Sequence, residues 1–200
     1  MSTEFWNARY ADSDLVYGEA PNEFLVAMAP RLPVSGAAVD IGAGEGRNAL
    51  FLASLGLDVL AVDQSDVGLR KASTLAQQRG LKLRTQAADL SDFTCVPGSV
   101  SLVSSIFVHL PSALRKTVHT RVIDWLQPGG MLVLEAYSPE QLARDTGGPK
   151  DPQMLASLDT LLAELAGLEF LHSQALVRRV VEGKFHGGDA AVVQILARKK

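Results

Sequence analysis

Along the first two thirds of the chain, short apolar runs alternate with stretches in which apolar residues fall three and four apart. AAVDI (Ala37 to Ile41) reads as a buried strand feeding a helix from about Arg47 to Leu55 that stops at Gly56. LDVLAVD (Leu57 to Asp63) repeats the theme. Ser65 or Asp66 can cap a following helix that carries Leu69, Ala72, Leu75 and Ala76, with Gly80 closing it. LKLRTQAAD (Leu81 to Asp89) and SVSLVSSIF (Ser99 to Phe107) predict two more strands, and Pro111 starts a helix through roughly Leu126. The PGG at Pro128 to Gly130 breaks that helix, so MLVLEAY (Met131 to Tyr137) becomes a fifth strand. Alternation of this kind argues a parallel sheet with helices on both faces.

Beyond Tyr137 the rhythm changes. SPEQLARDTGGPKD reads as loop and Pro152 to Ala166 as a helix, and then Leu168 to Val181 and Asp189 to Arg198 predict a terminal hairpin across EGKFHGG. No repeat or low-complexity linker divides the chain, so one domain over residues 1–200 is expected.

Composition removes several classes of function. The chain has 200 residues, is 47% hydrophobic, and carries a formal charge of −3 with basic residues clustered only at Arg198, Lys199 and Lys200. A nucleic-acid partner is not expected from such a balance. The polar, acidic opening MSTEFWNARYADSD lacks the pattern of a signal peptide, and no run reaches the length of a membrane span. A cytoplasmic location follows as an expectation. Cys95 is the only cysteine, which excludes an internal disulfide and a cysteine zinc cage and leaves it a spectator thiol; no metal is expected.

The candidate chemistry lies in VDIGAGEGRN (Val39 to Asn48). Gly42, Gly44 and Gly46 follow the first strand, where an open α/β sheet places its ligand crevice, and their bare backbone lets a ligand press against main-chain amides. Asp63, ending the second strand, offers a carboxylate at ribose-diol distance. GEGRNA also fits the loose dinucleotide pattern GxGxxA, so a nicotinamide-linked oxidoreductase stays open. Against it, Asp40 would repel a pyrophosphate yet can hold an ammonium group directly or through water. No TyrxxxLys pair occurs, and the terminal hairpin departs from a dinucleotide fold's continued winding.

Taken with AVDQS around Asp63, AADL around Asp89 and LQPGGMLVLE (Leu126 to Glu135), this motif resembles class I S-adenosylmethionine-dependent methyltransferases over about Ala37 to Tyr137. WNARYADSDLVYG and GEGRNALFLASLG are similar to the small-molecule branch that includes tellurite-resistance and thiopurine methyltransferases. The resemblance implies a Rossmann-like, mostly parallel seven-stranded sheet with an antiparallel terminal hairpin. It implies S-adenosylmethionine as cofactor, with Asp40, Gly42, Ala43, Gly44, Asn48, Asp63, Gln64, Asp89, Leu90 and Ser105 around it. An N-terminal segment over residues 1–30 would fold over the cofactor through Trp6, Tyr10 and Tyr17, unless these aromatics only pin the terminus down. Residues 138–166 would overhang the substrate side. The acceptor implied is a small molecule, soft or anionic, of the tellurite, selenite or thiol type, on a monomer or homodimer.

His109, after the fourth strand, is a base candidate or a helix cap. His186 in the hairpin, where Phe185 would anchor it, is a substrate-side candidate; Arg178 and Lys150 are candidates to orient an anion, or else solvated cations. His172 and His119 read as surface residues. A non-catalytic domain that binds an S-adenosyl ligand is the remaining alternative.

Overall fold

The computed structural model describes residues 2–183 and 186–200. Five parallel strands come first: β1 (Ala37–Ile41), β2 (Asp58–Asp63), β3 (Leu83–Ala87), β4 (Val100–Ile106) and β5 (Leu126–Tyr137). Two long antiparallel strands, β6 (Leu168–Glu182) and β7 (His186–Lys199), complete one seven-stranded sheet in the order β3-β2-β1-β4-β5-β7-β6. The winding reverses between β1 and β4, which pair directly. That reversal opens a crevice at their carboxyl ends.

Alternating side chains of β1 feed two cores. Val39 and Ile41 join Val118, Val122 and Trp125 of α5 (Ser112–Trp125) and Leu161 of α6 (Leu158–Glu164). Ala38 packs on the opposite face with Leu25 of α2 (Glu23–Met28), Ala49 and Leu52 of α3 (Arg47–Ser54) and Leu69 of α4 (Asp66–Gln78). The central strands β1 and β4 are buried on both sides, as their apolar sequences require, whereas β3 at the edge is largely exposed. Ser65 caps α4 by accepting from Gly68 N, and Gly46, at φ +85°, turns the chain into α3.

Three elements depart from the sequence expectation. β5 begins at Leu126, not Met131: Val100 pairs Leu126 and Leu102 pairs Met131, so the PGG bulges out of the ladder without ending the strand. Proline has no N–H for the ladder, and the bulge spares it that role. The helix over residues 152–166 is broken into a 3-10 turn (Pro152–Met154) and α6, with Leu155 extended at φ −106°, ψ 154°. Ser157 caps α6 by accepting from Thr160 N, and the carbonyls of Gln153 and Leu155 accept from Arg115, so the buried crossing segment gains more from these partners than from continuing a helix. Finally, the opening segment contains two short helices, α1 (Thr3–Arg9) capped by Ser2 and α2 capped by Asn22.

His119 also corrects the sequence reading. It is buried, with Nδ1 2.7 Å from Glu164 Oε2, while Arg115 forks onto the same carboxylate at 3.1 and 3.0 Å. His172 is half-buried against Phe24, ring centroids 5.4 Å apart.

Candidate active site

A cavity of about 320 Å³ opens at the carboxyl ends of β1, β2 and β4. Gly42, Ala43, Gly44 and Asn48 line it from the glycine turn and α3, Asp63 and Gln64 from the end of β2, and Asp89 and Leu90 from the turn after β3. Phe107 to Leu110 close the side beyond β4, and Trp6, Tyr10 and Tyr17 reach in from the N-terminal segment. Asp40 and Ser105 lie on the strands behind these residues and do not line the cavity.

Besides lining the cavity at Gly42 and Gly44, the glycines meet a second demand, close packing by the protein's own side chains. At the positions where Cβ atoms would stand, Gly42 meets Val108 at 2.8 Å, Gly44 meets the Tyr10 hydroxyl at 2.7 Å and Gly46 meets Ala72 at 2.5 Å. All three have positive φ. A bare backbone thus lets Val108, Tyr10 and Ala72 close on the bend while Gly42 and Gly44 still line the cavity.

Asp63 braces that bend. Its Oδ2 accepts from Gly44 N at 2.9 Å and its Oδ1 from Ser65 N at 2.8 Å. Burial raises its pKa, and the two amides pull it back. Asp40 is fully buried; its Oδ1 accepts from Ser104, and its Oδ2 has no hydrogen-bond partner among the described residues. Burial pushes its pKa up to about 7 against the opposing hydrogen bond from Ser104 and the charge of Arg47.

The N-terminal segment is fastened as a strap across the cavity. Trp6 stacks on Tyr10 at 5.6 Å, and Tyr10 meets Tyr17 edge-on at 6.3 Å. Glu45, inside the glycine motif, accepts from Val16 N at 2.7 Å and from Lys71 Nζ at 2.8 Å. Asn22 ties the strap's end to the sheet, donating to Glu135 Oε2 at 2.5 Å and Glu182 Oε1 at 3.0 Å.

The candidate catalytic residues separate. His109 lines the cavity, its ring 5.4 Å from that of buried Tyr137, which stacks in turn on Phe107 at 4.6 Å. Arg178 is not in the lining: it grips buried Glu135 with two hydrogen bonds of 2.8 and 2.7 Å and reaches Glu23 at 3.1 Å. Burial opposes its charge, but the carboxylates outweigh that and raise its pKa. Lys150 is exposed, donating to Arg144 O at 2.9 Å and pairing with Asp145. Neither cation is presented to the cavity. Phe185 and the side chain of His186 lie outside the described residues.

Residues that the sequence reading did not nominate include Glu45, Arg47 and Leu114 in the lining. Arg47 sits inside the glycine motif at the first position of α3, a cation beside the ligand turn, and that placement was legible.

An open sheet wound in this order, with helices on both faces and an antiparallel terminal hairpin, is the Rossmann-like methyltransferase fold. Residues 38–130 match the family model described as a methyltransferase domain. Among curated proteins the chain is 29% identical, over 119 residues, to the 2-heptyl-1-hydroxyquinolin-4(1H)-one methyltransferase of Mycobacteroides abscessus; the match covers 58% of this chain and 52%, about half, of that relative. A structure from work on the conversion of a disulfide bond into a thioacetal group during echinomycin biosynthesis superposes with TM-score 0.81 at 22% identity, over 99% of this chain and 91% of that one. TehB from Haemophilus influenzae superposes with TM-score 0.74 at 18% identity, over 99% of this chain and 67% of that one. At these identities the two structures speak for the fold. Among the described residues, no helix is long and apolar enough to cross a membrane.

Proposed function

We propose that this chain transfers the methyl group of S-adenosylmethionine to a small-molecule acceptor, as a single cytoplasmic domain over residues 1–200. The observation that carries the reading is the cavity bracketed by the glycine turn, Asp63 and the aromatic strap, within the segment matched by the methyltransferase family model. Asp63 accepts the ribose hydroxyls, Gln64, Asp89 and Leu90 flank the adenine, and Asp40 faces the ammonium through the turn. The unpartnered Asp40 Oδ2 suits that last role. A nicotinamide dinucleotide fits less well, because the Gly44 amide that would bind its pyrophosphate already donates to Asp63. Asp40 and Asp63 would repel that anion.

When bound, the cofactor supplies a methyl group already activated on a sulfonium. The protein's part is then alignment and exclusion of water: the strap, residues 1–30, covers one side and residues 138–166 overhang the acceptor side. Within the soft or anionic acceptor class, the thiol type is favoured over tellurite or selenite, because Arg178 and Lys150 are already paired with carboxylates. An ionisable hydroxyl is the second acceptor class. His109 in the lining supplies a proton acceptor for it, and the mycobacterial relative's name includes a hydroxyquinolone.

Calorimetry with S-adenosylhomocysteine tests the pocket. Wild type binds and Asp63→Ala binds at least about tenfold more weakly, as expected for losing charge-assisted hydrogen bonds of roughly 1.5–3 kcal/mol. Equal affinities would remove Asp63 from the ribose site. Transfer of label from the donor to thiols, phenols, tellurite and selenite ranks the acceptors; label on none of them, with binding intact, would leave a binding domain in place of an enzyme.

A further inference from the structure

Residues 14–22 of the strap form neither helix nor strand, yet Val16 and Asn22 are buried. The amides and carbonyls of such a segment need partners that a ladder would otherwise supply. Four side chains supply them. Lys71 Nζ donates to Asp14 O at 3.1 Å, and Glu45 Oε2 accepts from Val16 N at 2.7 Å. Arg47 Nη1 donates to Ala20 O at 3.1 Å, and Asn48 Oδ1 accepts from Asn22 N at 2.9 Å. Three of the four belong to the glycine motif itself, in the run EGRN that follows Gly44.

That arrangement gives the motif's polar residues a task other than ligand contact. Both oxygens of the Glu45 carboxylate are engaged, Oε1 with Lys71 at 2.8 Å and Oε2 with the strap. Asn48 directs its carbonyl oxygen to the strap as well. Because every grip is on main chain, the strap's own side chains stay available to the cavity, which Tyr10 and Tyr17 line. Tyr17 and Gly18 stand between the grips at Val16 and Ala20 and form the wall there. The turn that carries Glu45 is braced in its own right by Asp63 at Gly44 N, so the strap is registered against a fixed cradle.

Resting on the S-adenosylmethionine reading, we infer that Glu45 and Asn48 are positioning residues that act on the bound cofactor through the strap, holding its main chain closed over the cavity and so setting how slowly the ligand leaves. A seated ligand waits for these bonds to open. Removing one therefore speeds dissociation more than it slows association.

Amide hydrogen exchange followed by NMR reads the two bonds individually, and stopped-flow displacement of S-adenosylhomocysteine reads their consequence. In wild type the Val16 and Asn22 amides should exchange slowly, and more slowly still with the ligand bound. Glu45→Ala should speed exchange at Val16 and Asn48→Ala at Asn22, each by about tenfold, and raise the ligand's dissociation rate by about the same factor, with association within about twofold of wild type. Glu45→Gln and Asn48→Asp, which keep an acceptor oxygen, should recover most of both effects. Faster exchange in the strap with dissociation unchanged, or faster dissociation with the two amides still protected, overturns the inference and leaves the cofactor reading standing. Acceleration that spreads to the amides of β1 and β4 overturns it too, because the residue then supports the fold and not the strap. A wild type that does not bind S-adenosylhomocysteine overturns the cofactor reading and this inference with it.

Discussion

Glu135, on β5 beside β7, shows how one buried charge can reassign a residue that looks catalytic. It is wholly inaccessible, and Arg178, Asn22 and Gln194 all donate to it. Removing one partner from such a pair typically costs about 3–5 kcal/mol, because the remaining charge stays buried and uncompensated. Arg178→Met is therefore expected to lower unfolding free energy by that order in urea denaturation. A residue kept for an anionic substrate would behave oppositely, with unchanged stability and a raised acceptor KM. Sequence alone does not decide this, since the partner that claims Arg178, Glu135, lies 43 positions earlier on another strand. For the same reason His119 read as a surface residue: Glu164, its partner, stands 45 positions away on another helix.

At the scale of elements, the parallel half of the fold was legible because each strand and helix announces itself locally, through an apolar run, a capping Ser65 or a stopping glycine. The strap was legible only as a set of aromatic residues. What holds it is distributed: Glu45 on the glycine turn, Lys71 on α4, Glu182 on β6 and the hairpin glycine Gly183. A Cβ on Gly183 would stand 2.1 Å from Val16 O, a backbone atom, at a φ of +63°. Gly183→Ala must therefore move the strap or the hairpin. The expected outcome is weaker S-adenosylhomocysteine binding, by about tenfold or more if loss of the strap removes contacts worth roughly 1.5–3 kcal/mol, with a smaller loss in melting temperature than Arg178→Met causes. Deleting the residues before Leu15 should reproduce the binding defect. If the deletion alters stability and leaves affinity intact, the strap is an anchor and does not close the site.

Across the whole molecule, two carboxyls on opposite sides of the sheet, buried Asp40 and half-buried Glu164, respond to pH in opposite senses. On the face covered by α3, burial raises Asp40 to about 7 despite Ser104 and Arg47, so the folded chain keeps a proton that an unfolded chain releases near 3.8. Asp40 thus favours the fold at low pH, and that contribution is lost as pH rises from about 4 through 7, a change on the order of a few kcal/mol. On the face covered by α5 and α6, burial works against Glu164, but the hydrogen bonds and charges of His119 and Arg115 prevail and hold it down to about 2 against an ordinary 4.5. Its contribution is complete above pH 4.5 and disappears as pH falls toward 2. Unfolding free energies measured across pH on wild type, Asp40→Asn and Glu164→Gln separate the two, because groups common to the chains cancel in the differences. Asp40→Asn should gain on wild type steadily between pH 4 and 7, and Glu164→Gln should gain on it only below 4.5. In the proposed reading Asp40 would also link this behaviour to the site, since a cofactor ammonium near it would favour the ionised form. S-adenosylhomocysteine should bind more tightly as pH rises toward 8 and release a proton on binding near pH 6, read from calorimetry in buffers of different ionisation enthalpy. Proton release that persists in Asp40→Asn would assign the coupling to another group and leave Asp40 a structural acid under the glycine turn.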